Sequence, residues 1–382
     1  MKLVVISHTA HGYKKDGSVV GWAPTVREID LLSVHFEQVW HLAYLTDEVP
    51  VTYTSYRHGK VIFIPLKPAG GKSLRDKLKV ISLMLSNLKI IKQVIQQADA
   101  VQLRLPTGIG VYLLPWISWF KKRTFVLWVK YAGNWAHSNP PITYKFQRWF
   151  LSKNFQRSYV TINGVWDNQP KHCLTFENPC LTEDEVAQGV QAASNKSFGG
   201  PMILLFVGRI EPAKGVDRIL ETLGLVKMSN RIQEMIFVGS GNVQAYQGKS
   251  VHLEFKVTFT GGIERNLLNE YYAKSHLLLL PSDSEGFPKV VAEAAAFGCI
   301  PCVSDVSSLS QYINCDNGHL FSSMNPEVMA KELDMLLSEP MDLEKRALNA
   351  LNLANRFTYR YYNERILNEI VQRPDEVGIY RK

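Results

Sequence analysis

The sequence predicts an α/β protein of two doubly wound, Rossmann-like domains. Three observations carry this reading. Strand-length apolar runs alternate with helix-length amphipathic runs almost throughout, the pattern of parallel sheets covered on both faces. A polar break at 178–201, with Pro179 and a closing Asn-Lys-Ser-Phe-Gly-Gly-Pro, divides the chain into two halves of similar layout. The length of 382 residues suits two domains, and a hydrophobic content of 46% supplies two cores.

In the first half, strands are expected near 3–7, 60–65, 100–105, 124–131, 159–163 and 174–177. Helices fall near 25–40, 74–97, 110–120 and 143–155. Thr25 and Glu28 have the spacing of a capping box. In the second half, strands fall near 203–208, 235–239, 257–260, 276–280 and 300–304, and helices near 216–226, 265–273, 288–297 and 326–337. Two more helical stretches follow Pro340, at 343–356 and 359–371. The domains are then 1–180 and 200–356, with a linker at 181–199.

Charge is distributed unevenly. Residues 1–180 carry 23 Lys and Arg against 10 Asp and Glu, a net +13; residues 181–382 carry 20 against 25, a net −5. A basic half fits nucleic acid, an anionic membrane surface or a phosphorylated acceptor, and it also fits plain solubility. Tyr112-Leu-Leu-Pro-Trp116-Ile-Ser-Trp119-Phe-Lys121-Lys-Arg123 reads either as an interfacial anchor or as a core helix with a basic end. No stretch approaches the roughly 20 apolar residues of a spanning helix. The first apolar run is too short for a signal peptide, and five cysteines make no disulfide framework, so a cytoplasmic location is expected.

The most informative segment is Pro281-Ser-Asp-Ser-Glu285-Gly-Phe287-Pro288-Lys-Val-Val-Ala-Glu293. A buried strand precedes it, a helix closed by Gly298 follows, and two carboxylates stand eight residues apart. A loop at the carboxyl end of a parallel strand is a ligand site, and the free N–H groups of the next helical turn attract an anion such as a diphosphate. Pro288 is tolerated in that first turn because no N–H is needed there. Phe206-Val-Gly208-Arg209-Ile-Glu-Pro-Ala-Lys214-Gly215 repeats the strand–loop–helix pattern with two cations placed for phosphate, against a plain reading as solvated loop charges. Gly239-Ser-Gly241 and Gly261-Gly262 also follow strands and would admit close backbone approach, or serve as ordinary tight turns. Cys299-x-x-Cys302 lacks a second pair for a metal, and Gly71-Lys72-Ser73 lacks the first glycine of a phosphate loop.

These residues resemble the retaining GT-B glycosyltransferases of family 4, also called group 1, over about 203–321. The family pattern, Gly-Arg-x(4)-Lys-Gly followed by Glu-x(7)-Glu, stands here as Gly208-Arg209…Lys214-Gly215 and Glu285…Glu293. The resemblance implies that Arg209 and Lys214 hold the diphosphate of a nucleoside diphosphate sugar. It implies Glu293 on the ribose, Glu285 on the transferred sugar as a clamp rather than a nucleophile, and Phe287 and Pro288 near that sugar through backbone. Gly208, Gly239 and Gly261 complete the donor side. The implied reaction retains configuration and requires no cofactor and no divalent metal. The resemblance also implies the GT-B arrangement, two such domains facing each other across a deep cleft. The basic first half adds the expectation of a glycan or lipid-linked oligosaccharide acceptor in surface polysaccharide assembly and of peripheral contact with an anionic membrane, while the acidic second half and the sugar-site motif speak against a nucleic acid partner. The segment at about 357–382 is expected to pack back on the first domain.

The first half matches the family in layout only. Gly17 or Gly21 stands for its glycine loop, and Lys130, Gly133, Asn134 and His137 stand near the position of its mid-domain histidine; His8 and His11 are further candidates. A nucleotide-sugar epimerase, a phosphorylase and a non-enzymatic binder of anionic ligands are the alternative readings.

Overall fold

A computed structural model describes residues 1–50, 52–68, 74–120 and 123–372, with side chains described outside 74–82. Gly71–Ser73 and Lys121 lie outside the described residues. The chain divides into two units, one of Met1–Glu177 with the segment that begins at Tyr362, and one of Asn178–Tyr361. No helix among the described residues is long and apolar enough to cross a membrane.

In the first unit the described strands are β1 (Lys2–Tyr13), β2 (Val19–Trp22), β3 (Gln38–Leu45), β4 (Tyr53–Ser55), β5 (Val61–Leu66), β6 (Ala100–Leu105), β7 (Val126–Tyr131), β8 (Tyr159–Ile162) and β9 (Cys173–Thr175). Seven of these pair in parallel in the order β5-β3-β1-β6-β7-β8-β9. The far end of β1 continues into an antiparallel ribbon with β2 and β4. The sheet is buried on both sides, as its continuous apolar strands require.

The helix Ala23–Ser33 begins two residues before Thr25, with Pro24 in its first turn, so the expected Thr25–Glu28 capping box is not formed. Glu28 instead takes Arg104 at 2.7 Å and Lys130 at 2.6 Å in the interior. Arg104 and Lys130 are register partners on β6 and β7, and the Lys130 ammonium lies 4.5 Å from the Tyr362 ring. A charge this deep is tolerable only when paired. The segment from Tyr362 also donates from Asn363 to the Leu31 carbonyl at 3.1 Å and pairs Arg365 with Glu177 at 3.2 Å.

A buried polar chain lies at the carboxyl end of β1. Ser7 Oγ is 2.8 Å from His41 Nε2, His41 Nδ1 is 2.6 Å from Tyr56 Oη, and Tyr56 Oη is 2.8 Å from His11 Nε2. His11 Nδ1 is 3.0 Å from the Thr9 carbonyl, which can only accept. With both rings neutral the protons are therefore assigned: His11 donates to Thr9, Tyr56 to His11, His41 to Tyr56 and Ser7 to His41. Burial lowers the His11 pKa to about 4 against the hydrogen bond to Thr9, and burial lowers that of His41 with the neighbouring His11 and Arg104 charges adding. Both rings are thus neutral when folded, and an unfolded chain would protonate them below pH 6.5. Stability from them is full above pH 6.5 and is lost as pH falls toward 4, by about 3 kcal/mol for His11. Thermal unfolding followed from pH 7 to 4.5 should show this decline, and His11→Gln should flatten it.

The second unit contains β10 (Met202–Val207), β11 (Ile232–Val238), β12 (Lys256–Gly261), β13 (Leu277–Leu280), β14 (Ile300–Ser304) and β15 (His319–Phe321). All pair in parallel in the order β12-β11-β10-β13-β14-β15. Residues 181–199, expected as a linker, hold the helix Glu183–Ser194. It carries the capping box that the chain does form, with Thr182 accepting from the Glu185 N–H and Glu185 accepting from the Thr182 N–H. Gly189 lets it approach closely, since a β-carbon there would lie 2.0 Å from the Ala296 carbonyl oxygen.

Candidate active site

Counted within the second unit, the strand order is 3-2-1-4-5-6, and its topological switch point lies between β10 and β13. Ligands of open α/β sheets bind outside the carboxyl ends of the two strands at such a point. The two motif loops leave those ends. Gly208 to Gly215 follows β10 and leads into the helix Val216–Leu223; Pro281 to Pro288 follows β13 and leads into the helix Lys289–Ala296. Two helix N-termini therefore point their free N–H groups and positive dipole ends at the same place. Pro288 is the residue before the helix proper rather than part of its first turn.

The two loops are tied together. Gly215 has φ +79°, and a β-carbon there would lie 2.3 Å from the Pro281 carbonyl oxygen. The Asp283 N–H donates to the Ala213 carbonyl at 3.0 Å. Arg218 donates to the Pro281 carbonyl and pairs with Asp283 at 2.8 Å. This frame brings Lys214 Nζ within 2.5 Å of Glu285 Oε1, joining charges 71 residues apart in sequence. The ammonium can move from that partner to an anionic ligand, and the carboxylate can then accept from hydroxyl groups. The Arg209 side chain is 71% exposed, with its guanidinium touching Glu211 at 2.9 Å.

The neighbouring glycine turn is set by backbone contact. A β-carbon at Gly239 would lie 1.7 Å from the Gly208 carbonyl oxygen, and one at Gly241 2.3 Å from that of Ile210. Gly261 has φ +72° with no atom within 4 Å of such a β-carbon, which leaves its face open to a ligand. Phe287 is buried against Phe357 at 4.5 Å and Tyr312 at 5.0 Å, so only its backbone is available to a substrate.

Glu293, expected on the ribose, has partners within the second unit. Its side chain is 7% exposed, with Oε1 3.3 Å from Arg265 and Oε2 accepting from the Tyr272 hydroxyl at 2.8 Å. Arg265 also lies 3.3 Å from Glu185 of the helix taken for linker. Burial works against the Arg265 charge, but the Glu293 and Glu185 carboxylates more than offset it and hold its pKa above the ordinary value. Arg265, Tyr272 and Glu185 are the residues that sequence reasoning missed. The Thr182-x-x-Glu185 capping signature was the available sign that a helix starts there.

On the first-unit side the expected residues do not assemble. Lys130 is held in the buried Glu28 pair. Gly21 lies in β2 beside His11, where a β-carbon would come within 2.5 Å of the imidazole, rather than in a phosphate-binding loop. Asn134 accepts from the Ala136 N–H at 3.0 Å, and Arg148 donates to the His137 carbonyl at 2.9 Å. Burial raises the thiol pKa of Cys299 and Cys302, as for ordinary core cysteines. No group of three or more potential metal ligands occurs among the described residues.

Residues 188–352 match the family model described as glycosyl transferases group 1. The phosphatidyl-myo-inositol mannosyltransferase of Propionibacterium freudenreichii subsp. shermanii is 28% identical over 167 residues, 42% of each chain. The chain spans 40% to 50% of the length of the curated relatives it matches first. Among solved structures, sucrose-phosphate synthase from Thermosynechococcus elongatus superposes with a TM-score of 0.70 at 15% identity, covering 97% of this chain and 98% of its own. Anabaena Alr3699/HepE in complex with UDP and glucose gives 0.67 at 15% identity, with 97% and 99% covered. Residues 188–352 of the second unit are thus similar to the glycosyl transferases of group 1, in a chain with the GT-B fold.

Proposed function

We propose that the protein is a retaining hexosyltransferase of the family 4 type, which moves a sugar from a nucleoside diphosphate sugar to a glycan or lipid-linked oligosaccharide in surface polysaccharide assembly. The observation that carries this reading is the meeting of Lys214 and Glu285 at the switch point of the second unit. Lys214 and Arg209 would hold the diphosphate and offset the negative charge that grows on it as the glycosidic bond breaks. Glu285 would accept hydrogen bonds from hydroxyls of the sugar, holding it for attack from the face the phosphate leaves. The acceptor oxygen forms the new bond to the anomeric carbon, and its proton passes to the departing phosphate oxygen. Charge neutralisation by Lys214, Arg209 and the two helix N-termini stands in for a divalent metal. A relative named for phosphatidyl-myo-inositol and a fold neighbour solved with UDP support the acceptor and donor classes.

The test is thermal unfolding against a panel of nucleoside diphosphates and their sugars, with and without magnesium or manganese. One nucleotide family should raise the unfolding temperature equally in both conditions. Metal-dependent stabilisation would remove the metal-free mechanism, and no stabilisation by any nucleotide would remove the donor site.

A further inference from the structure

The first unit has a second feature that the donor site does not use. Between Asp99 and Asp167 the chain carries nine Lys and Arg residues and no Asp or Glu. Within this acid-free stretch the helix Ile142–Ser152 buries Gln147, Phe150 and Leu151 and turns a different stripe outward. Ile142, Lys145 and Trp149 follow at i, i+3 and i+7, so they share one face, and Lys153 extends it. Ile142 is 83% exposed and Trp149 49%.

The stripe continues beyond the helix. Phe155, 47% exposed, packs its ring 5.3 Å from Trp149. Arg157 donates to the carbonyls of Ser118 and Phe120 at 3.0 and 3.2 Å, which places Trp119, 87% exposed, beside this surface. Arg123 donates in turn to the Gln156 and Arg157 carbonyls. These guanidinium groups rigidify the surface through neutral carbonyl oxygens and so keep it positive. Exposed indole and phenyl rings alternating with lysines are what an interface between water and lipid headgroups selects: rings at the acyl boundary, ammonium groups at the phosphates.

We propose that the face formed by Ile142, Lys145, Trp149, Lys153, Phe155 and Trp119 docks on an anionic phospholipid bilayer. Of the two readings of Tyr112–Arg123 the helix follows the core one, with Leu113, Leu114 and Ile117 buried, and Trp119 beyond its end joins the face. The inference rests on the first unit alone and does not depend on the donor-site reading.

The test is co-sedimentation of the full chain with vesicles of phosphatidylcholine alone and of phosphatidylcholine with phosphatidylglycerol. Binding should require the anionic lipid and fall with added salt. Trp149→Ser with Phe155→Ser should weaken it about tenfold or more, because the inserted rings are lost. Lys145→Glu with Lys153→Glu should weaken it with the rings in place. Met341→Ser, a change at an 84% exposed position of the second unit, should leave it unchanged. The lysine variant should keep the parent unfolding temperature, whereas the ring variant gives up the Trp149–Phe155 contact and should unfold somewhat earlier while staying folded at the assay temperature. No vesicle binding by the parent chain, or binding by both double variants equal to that of the parent, would overturn the proposal. So would loss, in those variants, of oligonucleotide binding or self-association in place of vesicle binding.

Discussion

Lys214→Ala should lower sugar transfer by about 10²- to 10³-fold, the size of effect seen when one charge-stabilising donor is removed from a reacting centre. Glu285→Ala should do the same through loss of the sugar clamp. The two should differ in detail. Lys214 acts on charge that grows only as the bond breaks, so its removal should appear in kcat more than in KM. Glu285 holds ground-state hydroxyls as well, so its loss should raise KM for the donor sugar while leaving binding of the bare nucleotide close to normal. Both side chains end at the mouth of loops whose frame is built from Gly215, Pro281, Arg218 and Asp283, so unfolding temperatures should move little. Full activity in either variant would sink the assignment of this site.

Gly239→Val should unfold the second unit or destabilise it by more than about 3 kcal/mol, the scale of a severe backbone conflict. The β-carbon would sit 1.7 Å from a carbonyl oxygen of the chain itself, with no flexible side chain to give way. Gly261→Ala is the comparison without a collision. Its φ of +72° lies in the left-handed region, milder than the +149° of Gly239, and no atom stands within 4 Å. It should cost about 1 kcal/mol, the strain of a left-handed residue without the collision. Urea unfolding of the two variants measures both losses, and equal losses would refute the contact argument.

Much of this was legible in the chain. The alternation of runs gave two parallel sheets, and the motif loops marked the carboxyl ends of two strands of the second. That legibility follows from locality: strand, loop and helix N-terminus lie within about twenty residues of one another in each motif. The surroundings of Glu293 were not legible for the opposite reason. They are assembled from Glu185, Arg265 and Tyr272, which come from two other helices. The pairing of Lys130 was not legible for the same reason, since its partner Glu28 stands 102 residues earlier. The helix Glu183–Ser194 was hidden by its polar composition, although its capping box was in plain view. Pairings across distant helices and strands set what a charged side chain does, and spacing along the chain does not report them.

The chain of hydrogen bonds from Ser7 to Thr9 has a direction. Every member gives one proton forward and receives one from behind, ending on a carbonyl that can only receive. Such a circuit behaves like a sentence with fixed word order. Removing the Tyr56 hydroxyl would strand a donor on one histidine and an acceptor on the other, and no single neighbour could supply both. The four residues are therefore bound to change together or not at all, which ties the identity of β1 to that of β3 and to the segment after β4.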